Sequence, residues 1–192
     1  MRGRRKRGIT SALDALLLPW FGLTVFLVAC GGDPQPTERQ EAEQLLQEGL
    51  AAHAEGDLET AEDIYLEVIR LDPQNEFAHY NLGVIEHGRG RLGEAAARYR
   101  TALSIDPNFV SALFNLAIAR AELGDANEAI ELYERIIEIE PENAPAHLNL
   151  GFVLIDQGHE RRGRNELDEA VRLDPSLEDR VEPETSPSPT GD

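Results

Sequence analysis

From about residue 38 onward, apolar side chains recur every three or four positions, in blocks separated by short polar breaks. Tyr80, Leu82, Val84 and Ile85 make one block, and Leu92, Ala95, Ala96, Tyr99, Ala102 and Leu103 make the next. Such spacing predicts two amphipathic α-helices in succession. Gly90 falls between them and permits a tight turn. Pro107 has no amide hydrogen, so it stops the second helix or opens the one that follows.

The helix pair repeats with a period of 34 residues. Pro73, Pro107, Pro141 and Pro175, each after an aspartate or glutamate, keep this spacing three times in a row. Three further columns stay in register with them: Gly56, Gly90, Gly124 and Gly158; Ala61, Ala95, Ala129 and Gly163; Tyr65, Tyr99, Tyr133 and Leu167. A last column reads Gly49, Gly83, Ala117 and Gly151. The small residues let the two helices of a pair approach closely, and the aromatic fills the space beside them. One hairpin cannot bury its own apolar face, so stacked neighbours are needed to do it.

These columns resemble those of the tetratricopeptide repeat (TPR) family over roughly Ala42 to Pro175. The resemblance implies an all-α fold: a right-handed superhelical solenoid of four helix-turn-helix repeats at 42–75, 76–109, 110–143 and 144–177. The first helix, expected over Glu38–Ala54, is more polar than its counterparts. It carries Glu48 where later repeats have Leu82, Leu116 and Leu150, as suits a terminal unit facing water. Asp57 is placed to cap the following helix. Repeat four departs most from the pattern. Gly163 replaces alanine inside a helix at a cost of about 1 kcal/mol. Arg161 and Arg162, near the helix start, oppose its dipole, and Arg164 stands where Ile130 and Ala96 stood. This helix is expected to end the stack as a polar cap. Residues 178–192, acidic and rich in proline and serine, are expected to be a disordered tail.

The N-terminus has another character. Arg2–Arg7 is a basic head, and Ala15–Ala29 is an apolar run of 15 residues. The run ends in Leu27-Val28-Ala29-Cys30, which resembles the bacterial lipobox. The resemblance implies that residues 1–29 are a signal peptide and that Cys30 becomes the lipidated first residue of the mature chain. Cys30 is the only cysteine, so no internal disulfide accounts for it. The alternative is an uncleaved signal anchor, but the run is short against the ~20 residues of a membrane span. Residues 30–41 would then form a lipidated N-terminus and flexible tether. The location this implies is the bacterial cell envelope, on the outer membrane if the cell is Gram-negative.

Composition adds a constraint on partners. The formal net charge is −18. Five of the 18 basic groups and one of the 36 acidic groups lie in residues 1–29, which leaves the remainder near −22. Such a chain repels nucleic-acid backbones and anionic headgroups, and attracts basic partners at low salt. General solubility is the plainer reading of the same charge.

Function is expected where the first helices of the repeats line the concave face, as the resemblance implies. Asn81, Asn115 and Asn149 share one column there, with Gln47 in repeat one. An amide offers both a donor and an acceptor to the backbone of an extended ligand. Packing is the competing role for this column. Beside it run Leu46, Tyr80, Phe114 and Leu148, and one turn further Leu50, Val84, Ile118 and Phe152. Together they describe an apolar groove with a polar spine, suited to a protein or peptide segment. The lysines of the carboxylate-clamp subtype, which binds chaperone C-termini, are missing.

Other chemistry finds little support. His79 and His147 lie two repeats apart, and His53 with His87 lacks completing ligands, so no metal site is expected and the histidines are expected to be exposed or groove-lining. Arg89, Arg91, Arg98 and Arg100 are expected on a solvated convex face. No nucleophile motif and no glycine-rich phosphate loop occur, so neither catalysis nor a cofactor is expected. The reading is a monomeric, lipid-anchored adaptor. The alternative is a structural protein that self-assembles through the open edges of repeats one and four.

Overall fold

The computed structural model describes residues 36–181, and every described element is helical. Eight α-helices pair into four hairpins: α1 (Pro36–Glu55) with α2 (Leu58–Leu71), α3 (Glu76–Gly88) with α4 (Leu92–Ile105), α5 (Val110–Glu122) with α6 (Ala126–Ile139), and α7 (Ala144–Asp156) with α8 (Glu160–Leu173). A 3-10 turn (Pro175–Leu177) and a short α9 (Glu178–Val181) follow. Each helix packs on the next in sequence, and α3 also touches α5, so the hairpins stack as the 34-residue period requires. Residues 1–29, for which the sequence leads to the expectation of a signal peptide, and Cys30 lie outside the described residues, as does the chain beyond Val181.

Local chemistry sets the boundaries. Gly56, Gly90, Gly124 and Gly158 turn each hairpin with φ of 82°, 75°, 83° and 82°. A Cβ on any of them would meet nothing within 4 Å, so backbone conformation and not space calls for glycine there. Asp57 caps α2 by accepting from the Thr60 amide at 3.2 Å. Asn75 and Asn143 cap α3 and α7 in the same way, at 2.9 and 3.0 Å. Pro107 stops α4, which ends at Ile105, and α5 begins only at Val110.

Two boundaries differ from the sequence reading. The span assigned to the tether is helical from Pro36, because proline fits the first turn of a helix and Glu38 favours its positive end. The tail does not begin in disorder at Glu178. Leu177 and Val181, four residues apart, pack on the cluster of Leu148, Leu167 and Ala170. That contact draws Glu178–Val181 into a helical turn over the last hairpin.

The core follows the columns. Tyr65, Tyr99 and Tyr133 are fully or almost fully buried, and burial pushes the hydroxyls of Tyr65 and Tyr133 up to about 12. Each ring lies against the small residue of the preceding helix: a Cβ on Gly83 would lie 2.6 Å from Tyr99 Cε1. In repeat four Leu167 takes the aromatic position, and α7 and α8 approach until a Cβ on Gly151 would lie 2.9 Å from the Gly163 carbonyl oxygen.

The histidines are neither exposed nor groove-lining in this column: His79 and His147 are buried, at 7% and 6% exposure. Each donates through Nε2 to the carbonyl of the proline six residues earlier, Pro73 at 3.2 Å and Pro141 at 3.1 Å. Repeat three has Leu113 in this column, and there Arg135 of α6 donates to the Pro107 carbonyl instead, at 2.6 Å. The three inter-repeat turns are thus tied by a side-chain donor from one of two sources. Burial, with the charge of Arg98 adding to it, holds His79 below the usual histidine range against the opposing pull of the Pro73 carbonyl. The unfolded chain therefore takes up this proton more readily. The contribution of His79 to stability is present above its unfolded pKa of about 6.5 and is lost as pH falls toward the folded value. Urea denaturation between about pH 7 and pH 5 is expected to show a steeper loss of stability for the native chain than for His79→Leu. Parallel slopes would show that this ring does not titrate across the unfolding transition.

Candidate functional site

The first helices of the four hairpins, α1, α3, α5 and α7, share one face of the stack, and two open cavities indent it. One, about 410 Å³, lies between α1 and α3, with Leu46, Gln47, Leu50 and Phe77 in its wall. The other, about 280 Å³, lies between α3, α5 and α7. Tyr80, Val110, Phe114 and Pro145 give it apolar walls, and Ser111, Asn115 and Asn143 supply polar atoms. The structure therefore brings Leu46, Gln47 and Leu50 together at one depression, and Tyr80, Phe114 and Asn115 at the other.

The remaining groove residues divide by exposure. Leu50 and Phe152 are 38% and 40% exposed, while Val84 and Ile118 are half-buried. Leu46 and Leu148 are withdrawn into the core, at 7% and 1%: Leu46 shows only an edge in the wall of the first cavity, and Leu148 supports the groove from beneath. The reason is their position: Leu46 packs within the first hairpin cluster and Leu148 beside Leu167 and Ala170.

The asparagine column is turned inward. Asn81 is 9% exposed and donates to the Phe77 carbonyl of its own helix at 2.8 Å. Asn115 donates to the Tyr80 hydroxyl at 3.0 Å, which links neighbouring repeats. Asn149 bonds the Tyr133 hydroxyl. Gln47 is exposed. These amides hold tyrosines and backbone in place, and of the three asparagines Asn115 alone also lines a cavity.

An aromatic run follows the same face. Phe77 packs edge-on against Phe109, with centroids 5.4 Å apart, and Phe109 meets Tyr80 at 5.0 Å. Tyr80 continues to Tyr99 at 5.9 Å. Phe77 is 46% exposed at the start of this run. Phe77, Phe109, Val110, Ser111, Asn143 and Pro145 were absent from the sequence-based site. They fall at helix starts and inter-repeat turns, where column patterns are read as boundary signals. Their common position two to four residues after Pro73, Pro107 or Pro141 is the signal that would have revealed them.

The arginines of repeat two are engaged by carboxylates: Arg89 with Glu62, Arg91 with Glu94 at 2.8 Å, Arg98 with Glu86 at 3.5 Å, and Arg100 with Glu128 at 2.5 Å. Among the described residues no group of histidine, cysteine, aspartate and glutamate is placed to hold a metal ion. None of the described helices is long and apolar enough to cross a membrane.

The geometry has clear relatives. A family model for the middle TPR-like domain of cilia and flagella-associated protein 70 matches residues 45–174, and the chain belongs to this TPR-like family. Among solved structures, MamA from Desulfovibrio magneticus RS-1 is 21% identical, with a TM-score of 0.64 over 71% of this chain and 77% of that one. The first TPR domain of Spaghetti (RPAP3), bound to the HSP90 peptide SRMEEVD, is 23% identical, with a TM-score of 0.62 over 67% and 99%. A tetratricopeptide repeat protein from Parabacteroides merdae ATCC 43184 is 27% identical, with a TM-score of 0.65 over 71% and 54%. No functionally curated protein matches the chain.

Proposed function

We propose that this protein is a non-enzymatic adaptor that holds a segment of a partner protein in its first-helix groove and is tethered to the cell envelope by a lipid on Cys30. The observation that supports it most is the pair of cavities, which are walled by successive first helices, the one between α1 and α3 including the exposed apolar side chains Leu50 and Phe77. Exposed apolar surface gathered beside a depression is costly to keep in water, and segment recognition is its common use. The related Spaghetti domain was solved with a peptide bound. The lipid anchor rests on the Leu27–Cys30 pattern, and no observation favours edge-to-edge self-assembly over it.

A photo-reactive phenylalanine analogue at Phe152, in the native cells, tests the groove. A discrete protein adduct is expected there and not from the same probe at Glu59, which is exposed on α2. Only self-adducts would move the reading to assembly, and adducts from Glu59 alone would move it to the second-helix face. For the anchor, Cys30→Ala is expected to abolish lipid labelling and leave the precursor uncleaved. A lipid-bearing, membrane-bound product from that variant would remove the anchor from the proposal.

A further inference from the structure

The cavity between α3, α5 and α7 does not end at Pro145. Asn143 and Pro145 also wall a second cleft of about 800 Å³, which runs on past Glu140, Glu142, Leu173 and Asp174. From this shared wall we infer that the groove takes a segment with one apolar or aromatic anchor followed by arginine or lysine, the anchor seated against Tyr80 and Phe114 and the cation over Glu140, Glu142 and Asp174. The inference rests on the groove reading above and names the chemistry of its occupant.

The apolar part supplies the seat. At about 280 Å³ it falls just under the ~300–1,000 Å³ of pockets for drug-sized ligands, which suits a single large side chain. Its floor is stiff: the Phe114 ring packs edge-on against buried Tyr133 at 5.8 Å, and the Tyr80 hydroxyl is held by Asn115 and Ser111.

The acidic part supplies the selection. Glu140 accepts only from the neutral amide of Asn143, at 2.8 Å. Asp174 accepts from the Ser176 amide and hydroxyl, at 3.0 and 2.7 Å. The Glu142 carboxylate has no hydrogen-bond partner among the described residues. None of the three contacts an arginine. Arg172, which feels the charge of Glu142, is held by both oxygens of Glu169 at 2.7 and 2.5 Å. Arg135 is committed to the Pro107 carbonyl, and Arg162 to Glu134. The described chain contains no lysine. Arg135, Arg162 and Arg172 are thus engaged inside the fold, and the three carboxylates along the cleft have no ion pair among the described residues. Charges at such a rim select among partners and speed encounter, while the buried anchor carries most of the affinity.

The test is a selection of a randomised peptide library, displayed on phage, against the full chain. Enriched peptides are then titrated by fluorescence anisotropy against three proteins: native, Ser111→Trp, and the triple variant Glu140→Gln, Glu142→Gln, Asp174→Asn. Ser111 is exposed in the cavity wall, so tryptophan there closes the seat without entering the core. The triple variant keeps the hydrogen-bonding groups and removes the charge. The expected outcome is enrichment of aromatic or apolar residues beside arginine or lysine. Loss of binding in Ser111→Trp is expected with it, and about tenfold weaker, less salt-sensitive binding in the triple variant. Neutral or acidic peptides that still require an open seat would overturn the charge assignment and leave the groove reading standing. Binding indifferent to Ser111→Trp, or no enrichment at all, would overturn both. A dimer seen by light scattering and lost in Ser111→Trp would give the seat to a second copy of the chain and overturn the assignment of a cationic segment.

Discussion

Replacing Tyr99 by alanine is expected to cost about 3–5 kcal/mol, a large part of the 5–15 kcal/mol that holds a typical domain folded. Tyr99 is fully buried, its ring covers Gly83, and it meets Tyr80 at 5.9 Å. Truncation would leave a void between α3 and α4 and loosen the wall of the groove. The measurement is a urea midpoint followed by far-UV circular dichroism, and an unchanged midpoint would show that the hairpins stack without the aromatic column. Leucine is the more instructive replacement, because repeat four already carries Leu167 in this column. There the helices have closed on each other, with Gly163 opposite. In repeat two Ala95 stands at the glycine position, and its methyl group hinders the same closure. Tyr99→Leu alone is therefore expected to lose about 2 kcal/mol. Adding Ala95→Gly is expected to return part of that loss, although glycine by itself costs about 1 kcal/mol in a helix. Strict additivity of the two changes would mean that the columns act independently.

The parts of the fold that depend on spacing were legible in the sequence. A positive φ at Gly90 and a helix stop before Pro107 are local demands of the backbone, and each residue announces its own. The alternation of helices follows from apolar periodicity in the same way. What a column of identical residues does is a different matter, because it depends on which neighbour the side chain meets. Asn81, Asn115 and Asn149 form one column, and each bonds a different group: its own helix, a neighbouring tyrosine across a repeat, and a tyrosine of the preceding repeat. His79 and His147 look like candidates for the surface, but the carbonyl they bond belongs to the turn six residues before them. That turn folds back only once the hairpins stack. Leu46 and Leu148 share a column with Tyr80 and Phe114, yet only the two aromatics reach past the core into the cavity between α3, α5 and α7.

Substituting Gly163 by alanine separates these two kinds of information, because they predict opposite signs. Helix propensity alone gives a gain of about 1 kcal/mol for glycine to alanine in a helix interior. Packing gives a loss. A Cβ on Gly163 would lie 2.6 Å from Ile155 Cγ1, 2.7 Å from the Gly151 carbonyl oxygen and 3.1 Å from the Ile155 amide nitrogen. The side chain could rotate away, but the two backbone atoms could yield only if α7 and α8 moved apart. That movement would strip Leu167 of its cover, so Gly163→Ala is expected to destabilise by about 1–3 kcal/mol. The control is built into the chain. Gly93 lies in the second helix of repeat two, is exposed, and a Cβ there would meet nothing within 4 Å. Gly93 is in the first turn of α4, so Gly93→Ala is expected to stabilise by less than the interior value, about 0.5 kcal/mol. Urea denaturation of the two variants side by side should therefore show midpoints moving in opposite directions. If both rise, the last hairpin opens at little cost, and the close approach of its helices is a convenience of the small residues, not a requirement of the stack.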